Sequence, residues 1–212
     1  MATQQAFWNR LADRYAAQPV ADEAAYQTKL AATRRHLRPE MALFEFGCGT
    51  GSTALAHAPF VRHIRAIDFS ERMIEIARDK AEQAGIGNVS FETGSIESID
   101  LAPESLDMVL GMSILHLLRD KGAAIAKTYG ALKPGGLFIT STACLSEMMP
   151  LVRFLTPVSN RLGFLPYLDP MTRSQLRRAM QAAGFAVEHE WQPNRKAAVF
   201  MIARKPGEKQ ES

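Results

Sequence analysis

Three glycines, Gly47, Gly49 and Gly51, alternate with Cys48 and Thr50 directly after an apolar stretch that holds one acid, Glu45. A turn of small residues lets a ligand lie against the main chain and turns backbone N–H groups toward an anion. Asp68 ends a second apolar run 17 residues after Gly51, where a carboxylate can accept both hydroxyls of a ribose. The chemistry implied is the binding of a nucleoside that carries an anionic group. A phosphate-cradling loop of the Gly-Lys-Ser/Thr kind is excluded, because no such triplet follows. A dinucleotide turn needs a third glycine where Ser52 stands, and Gly51 comes one place early.

These residues need strands to end on and helices to follow. "MALFEF" (41–46) reads as a strand feeding the glycine turn and a short helix near 52–58. "HIRAID" (63–68) feeds a helix from about 70 to 84, with Ser70 as N-cap, Glu71 in the first turn and Gly85 at C′. "NVSFET" (88–93) precedes a loop. "LDMVLG" (106–111) precedes a helix that stops at "LKPGG" (132–136), and "GLFITST" (136–142) is a fifth strand. Strands alternating with helices predict an α/β fold, a Rossmann-like doubly wound sheet covered on both faces. The pattern breaks at "FAVEHEW" (185–191) and "KAAVFMIA" (196–203), too close for a parallel crossover. The last strand, the seventh, must run antiparallel. Two helical patterns precede the sheet. One carries Trp8, Leu11, Ala12 and Tyr15 on a face; the other, opened by Asp22, runs from Ala25 through Tyr26, Lys29, Leu30 and Thr33 to Arg38-Pro39.

The 212 residues, 47% hydrophobic and 22% charged, suit one domain with a full core. A formal net charge of +3 without a run of like charges does not suit nucleic acid. Two cysteines, no apolar leader and no segment near the length of a membrane span predict a reducing, cytoplasmic setting. No metal-ligand constellation is present.

The sequence resembles the class I S-adenosylmethionine-dependent methyltransferases. The likeness rests on "FEFGCGTG", "IDFS", "FETGSIESI", "LDMVLGMSILHLL" and "LKPGGLFIT", in that order over residues 41 to 142. It is nearest to the small-molecule, ubiquinone-biosynthesis-like branch. The resemblance implies S-adenosyl-L-methionine as cofactor. Glu45, Phe46, Gly47, Cys48, Gly49, Thr50 and Gly51 would take its methionyl end. Asp68 would take the ribose, with Phe69 and Met73 beside the adenine and Gly94, Ser95 and Ile96 at the adenine edge. Gly111 and Met112 would pass the sulfonium. Tyr15 and Tyr26 lie on helices expected to cover the cofactor, where either could shield the methyl group, Tyr15 as a cofactor contact and Tyr26 as an acceptor contact. His116 is the candidate base, since methyl transfer asks the protein chiefly to position the acceptor, exclude water and sometimes remove a proton. The other histidines read as structural, His36 and His57 on helices and His63 and His189 on strands.

Five segments are expected within the one domain: an N-terminal helical cover (1–38), a cofactor core (39–143), an acceptor lid (144–170), a last helix and hairpin (171–204), and a disordered tail (205–212). The lid is rich in Met, Leu, Phe and Pro, which suits a small apolar or amphiphilic acceptor. Met148, Phe154, Phe164 and Tyr167 are its candidate contacts. From 144 to 183 five arginines face only Glu147 and Asp169, a surplus equal to the whole chain's net charge, so this part could also touch an anionic membrane surface. Two rivals exist. Tyr129 and Lys133 match the Tyr-x-x-x-Lys spacing of short-chain dehydrogenases, and a chain keeping the cofactor turn could bind without catalysis.

Overall fold

A computed structural model describes residues 2–149, 156 and 167–207. Two helices, α1 (Ala2–Ala17) and α2 (Glu23–Arg34), come before the sheet. Then β1 (Ala42–Phe46), α3 (Ser52–His57), β2 (His63–Asp68), α4 (Glu71–Gln83), β3 (Val89–Thr93) and β4 (Leu106–Met112) alternate. After β4 come a 3₁₀ turn (Leu115–Leu117), α5 (Lys121–Ala131), β5 (Leu132–Thr142) and the short α6 (Leu145–Met148). The chain closes with α7 (Arg173–Ala182), β6 (Ala186–Trp191) and β7 (Val199–Arg204).

The seven strands lie in the order β3-β2-β1-β4-β5-β7-β6. β1 pairs in parallel with both β2 and β4, so strand order reverses between β1 and β4. That reversal opens a crevice at the C-terminal ends of the strands, where ligands of doubly wound sheets sit. β7 slots antiparallel between β5 and β6, as the short connection predicted. Pleating sends alternate residues of each strand to opposite core layers. Phe44, Phe46, Val109 and Phe138 join one layer, and Leu43, Met108, Leu110 and Ile139 the other.

Local chemistry explains the element ends. Ser70 Oγ accepts from Met73 N–H at the start of α4. At its end Gly85, at φ +64, lets the Ile86 N–H reach back to Ala81 O. Several boundaries depart from expectation. α2 ends at Arg34 rather than at Arg38, which leaves His36 beyond the helix. β5 begins at Leu132, pairing with Leu106 before a register shift absorbs Pro134 and Gly135. β7 starts at Val199, three residues late, because Asn194 builds a turn in which its side chain accepts from Lys196 N–H and its carbonyl from Ala197 N–H. The expected tail also begins too early. Lys205 is buried, and its Nζ donates to Glu104 and to Leu132 O. Among the described residues no helix is long and apolar enough to cross a membrane.

Candidate active site

The crevice beside the reversal point holds a cleft of about 380 Å³. Its floor is Phe46 and Gly47 from the end of β1. Phe69 stands on one side, Gly94, Ser95 and Ile96 follow β3, and Ile114, Leu117 and Leu118 close the far wall. Its roof is α1, through Gln4, Gln5 and Trp8. The helix is fixed there by side chains reaching the β2–α4 corner. Gln5 Nε2 donates to Phe69 O, Ser70 Oγ to Asn9 Oδ1, and Arg72 pairs with Asp13.

The glycine turn divides its labour. Gly47, Gly49 and Gly51 all have positive φ, which L side chains resist. A Cβ on Gly51 would come within 3 Å of Phe91 and Ala77, so this glycine serves the packing of α4 and β3. A Cβ on Gly49 would meet only Tyr15, at 3.8 Å, so this glycine keeps main chain open to a ligand. Asp68 braces the turn. Its Oδ2 accepts from Gly49 N–H and its Oδ1 from Ser70 N–H, both at 2.9 Å. Burial raises its pKa above the ordinary carboxylate value, while those two bonds oppose the rise. Each oxygen keeps lone pairs for further donors.

Beneath the turn lies the least satisfied group of the site. Glu45 is 1% exposed, and its Oε2 is buried without a hydrogen-bond partner. Burial first, and the nearby Asp68 second, push its pKa up to about 8, with a hydrogen bond from the Ala54 N–H working against them. A buried carboxyl left half-paired is costly unless a donor completes it. An ammonium group of a ligand held at the turn supplies such a donor. The residues present thus fit a nucleoside bearing an amino-acid tail: apolar walls for a base, Asp68 for hydroxyls, the uncrowded main chain at Gly49 for a carboxylate and Glu45 for an amine.

The other expected site residues fall into place unevenly. Thr50 is buried and accepts from Lys80 Nζ, and Cys48 is a buried core thiol whose pKa burial raises. Tyr15 stands beside Gly49, and burial first and the charge of Asp68 second raise its pKa. Tyr26 is half-buried, bonded to the Thr53 side chain and close to Glu45. Met73, 2% exposed, is not among the described walls of the cleft. Gly111 admits the rings of Phe46 and Phe138, to which a Cβ would come within 3.0 to 3.3 Å, and the Met112 side chain packs into the opposite core layer. His116 sits in the 3₁₀ turn between two cleft residues, but its ring is not among the described walls. Its Nδ1 is buried without a partner, and burial lowers its pKa to about 4, with Asp169 opposing.

Of the lid candidates, Phe154 and Phe164 lie outside the described residues. Met148 ends α6, and the Tyr167 ring receives the Arg119 guanidinium 5.2 Å from its centroid. This returning limb is tied to the 3₁₀ turn, with Asp169 N–H donating to His116 O and Asp169 pairing with Lys121. Two of the five arginines of the basic stretch, Arg173 and Arg177, are taken by Glu190. Trp8, Gln5 and Ile114 were not singled out as site residues. Trp8 shares a helical face with Tyr15 seven residues on, and that spacing was the available signal. The dehydrogenase pair is not brought together: Tyr129 packs edge-on to Phe185, while Lys133 pairs with Asp107.

The family described as a methyltransferase domain matches residues 37–184. The chain is 28% identical over 170 residues to a ubiquinone biosynthesis O-methyltransferase of Methylobacterium sp. (strain 4-46), covering 74% of this chain and 68% of that protein. It is 38% identical over 96 residues to a demethylmenaquinone methyltransferase of Leptospira interrogans, covering 43% of this chain and 39% of that protein. The chain thus spans from 39% to 68% of the length of these relatives. Among solved structures, a putative methyltransferase from Bacillus halodurans C-125 superposes with a TM-score of 0.71 at 18% identity, over 84% of this chain and 98% of that one. At that identity the likeness concerns the fold.

Proposed function

Because the chain belongs to the methyltransferase domain family, we infer that it moves a methyl group from S-adenosyl-L-methionine to a small apolar or amphiphilic acceptor of quinone or phenol type. The observation that carries the cofactor half is Glu45, a buried carboxyl with an unpartnered oxygen on the strand that leads into the glycine turn. The cofactor supplies a methyl group on a sulfonium, an intrinsically good leaving group. The chain's part is therefore binding and placement. Asp68 takes the ribose while bracing the turn, Ser95 and Ile96 edge the adenine, and Trp8 closes over them. α1 and the walls around Ile114 exclude water from the reacting end. His116, neutral at pH 7, would accept a hydrogen bond from the acceptor through its unpartnered Nδ1. Its lowered basicity suits orienting a hydroxyl better than carrying off its proton.

The acceptor half rests on the names of the two quinone-pathway relatives and on the apolar composition of residues 144–170. Calorimetry with S-adenosylhomocysteine and with NADH tests the cofactor. Heat with the first and none with the second is expected, and the reverse pattern overturns the reading. A panel of phenols, quinols and their methyl ethers with labelled donor then tests the acceptor class.

A further inference from the structure

On the opposite side of β4 from Glu45, a basic side chain crosses from the helical cover to the sheet. Lys29 leaves α2, and its Nζ donates to Ser141 Oγ at 2.9 Å. Ser141 is the penultimate residue of β5, 2% exposed, and pairs in register with Met112 at the end of β4. Its carbonyl accepts from Ser113 N–H at 2.7 Å. Ser113 is exposed and held at φ +57, a conformation a non-glycine residue adopts only under constraint. Lys29, Ser141 and Ser113 therefore meet at the C-terminal edge of β4 and β5, where the residues bound for the lid begin.

Among the described residues Lys29 forms no ion pair. The acidic group that acts on it is Asp22 at the N-cap of α2, whose Oδ1 already accepts from Ala25 N–H. Burial lowers the pKa of the ammonium. A half-buried ammonium resting on one serine, with no counter-ion, gains the fold little. An anion brought to the same edge completes it.

Building on the methyl-transfer reading, we propose that Lys29, steadied by Ser141, is a specificity-determining residue that selects an acceptor bearing an anionic oxygen, a carboxylate or an ionised phenol. Its position separates this role from that of holding the cofactor's own carboxylate. The glycine turn and Glu45 belong to β1, and β4 lies between β1 and β5. With strands about 4.8 Å apart, Ser141 stands roughly 10 Å from the strand that carries the turn.

The test uses the full chain loaded with S-adenosylhomocysteine and titrated with benzoate, with 4-nitrophenol on either side of its titration, and with benzamide as the neutral control. Wild type, Lys29→Met, Lys29→Arg and Ser141→Ala are compared by calorimetry, with cofactor affinity and thermal midpoint measured alongside. Wild type should prefer an anion to benzamide. Preference for benzoate points to a carboxylate acceptor and preference for nitrophenolate to a phenol, and either supports the proposal. Lys29→Met should lose that preference by about tenfold or more, the value of a charge-assisted hydrogen bond. Lys29→Arg should keep part of it, while S-adenosylhomocysteine affinity stays within about twofold. Absence of any anion preference in wild type overturns the proposal. So does weakened S-adenosylhomocysteine binding with anion preference intact in Lys29→Met or Ser141→Ala, which reassigns Lys29 to the cofactor. Failure of wild type to bind S-adenosylhomocysteine is a separate result and removes the underlying reading instead.

Discussion

Glu45 links binding to pH. Its carboxyl titrates at about 8 in the folded protein against an ordinary 4.5, so between those values the unfolded chain has released a proton that the folded one keeps. Stability without ligand should therefore fall as pH rises through that window, by up to about 1.4 kcal/mol per pH unit from this group alone. Glu45→Gln removes the titration. Thermal melts across the window should show the variant gaining on wild type as pH rises, and S-adenosylhomocysteine should flatten the wild-type slope. A variant that melts in parallel with wild type at every pH would show that the carboxyl is not held protonated. Asp68→Ala tests the carboxyl that braces the glycine turn. If Asp68 takes the ribose, its loss together with the Gly49 brace should weaken S-adenosylhomocysteine by about 2–4 kcal/mol, read as a rise in Kd. An unchanged Kd in a folded variant would remove Asp68 from the site. If the His116 ring serves the acceptor side, turnover in His116→Asn should fall while the S-adenosylhomocysteine Kd stays unchanged.

The three glycines of the turn answer to different elements, and substitution should separate them. Gly51→Ala drives a Cβ toward Phe91 and Ala77, so α4 and β3 must shift. The melting temperature should fall, by an amount matching about 1–3 kcal/mol of overpacking. Gly49→Ala meets open space apart from Tyr15, so its larger effect should be on ligand affinity. If both variants lose stability equally and bind alike, the turn does not divide its labour as described. Element-level reading of the sequence reached this far for a physical reason. Strand ends, the Ser70 cap and the Gly85 stop are set by local backbone preference, so they are legible over short windows. The packing role of Gly51 and the orphaned oxygen of Glu45 depend on neighbours many residues away, such as Phe91, and no local pattern records them. The late start of β7 was missed because the Asn194 turn took residues whose apolar character suited a strand equally well. The roof formed by Trp8 and Gln5 escaped notice because helical spacing shows which residues share a face, but not which part of the sheet that face meets.

At the scale of the whole molecule, the cleft draws on the end of β1, the β2–α4 corner, the segment after β3, the 3₁₀ turn and α1 together. A ligand there ties the N-terminal cover to the sheet, so the entire domain should register binding. With S-adenosylhomocysteine at about 100 times its Kd, mass action adds roughly 2.7 kcal/mol, or roughly 5–10 °C in Tm for a chain of this size. No shift at saturation would mean that the cofactor binds a partly unfolded form equally well. The placement of β7 has a consequence in time as well as in space. β5 carries Phe138, Ile139 and Thr140 inside the finished sheet, yet one side of its ladder is completed only by Val199–Arg204. While the ribosome is still making the segment between them, β5 is the sheet's growing margin, with unpaired amides and apolar side chains facing solvent. Synthesis order thus leaves an apolar edge open until the last strand is made, and a chaperone that recognises extended apolar strands would find its target there until that strand slides in.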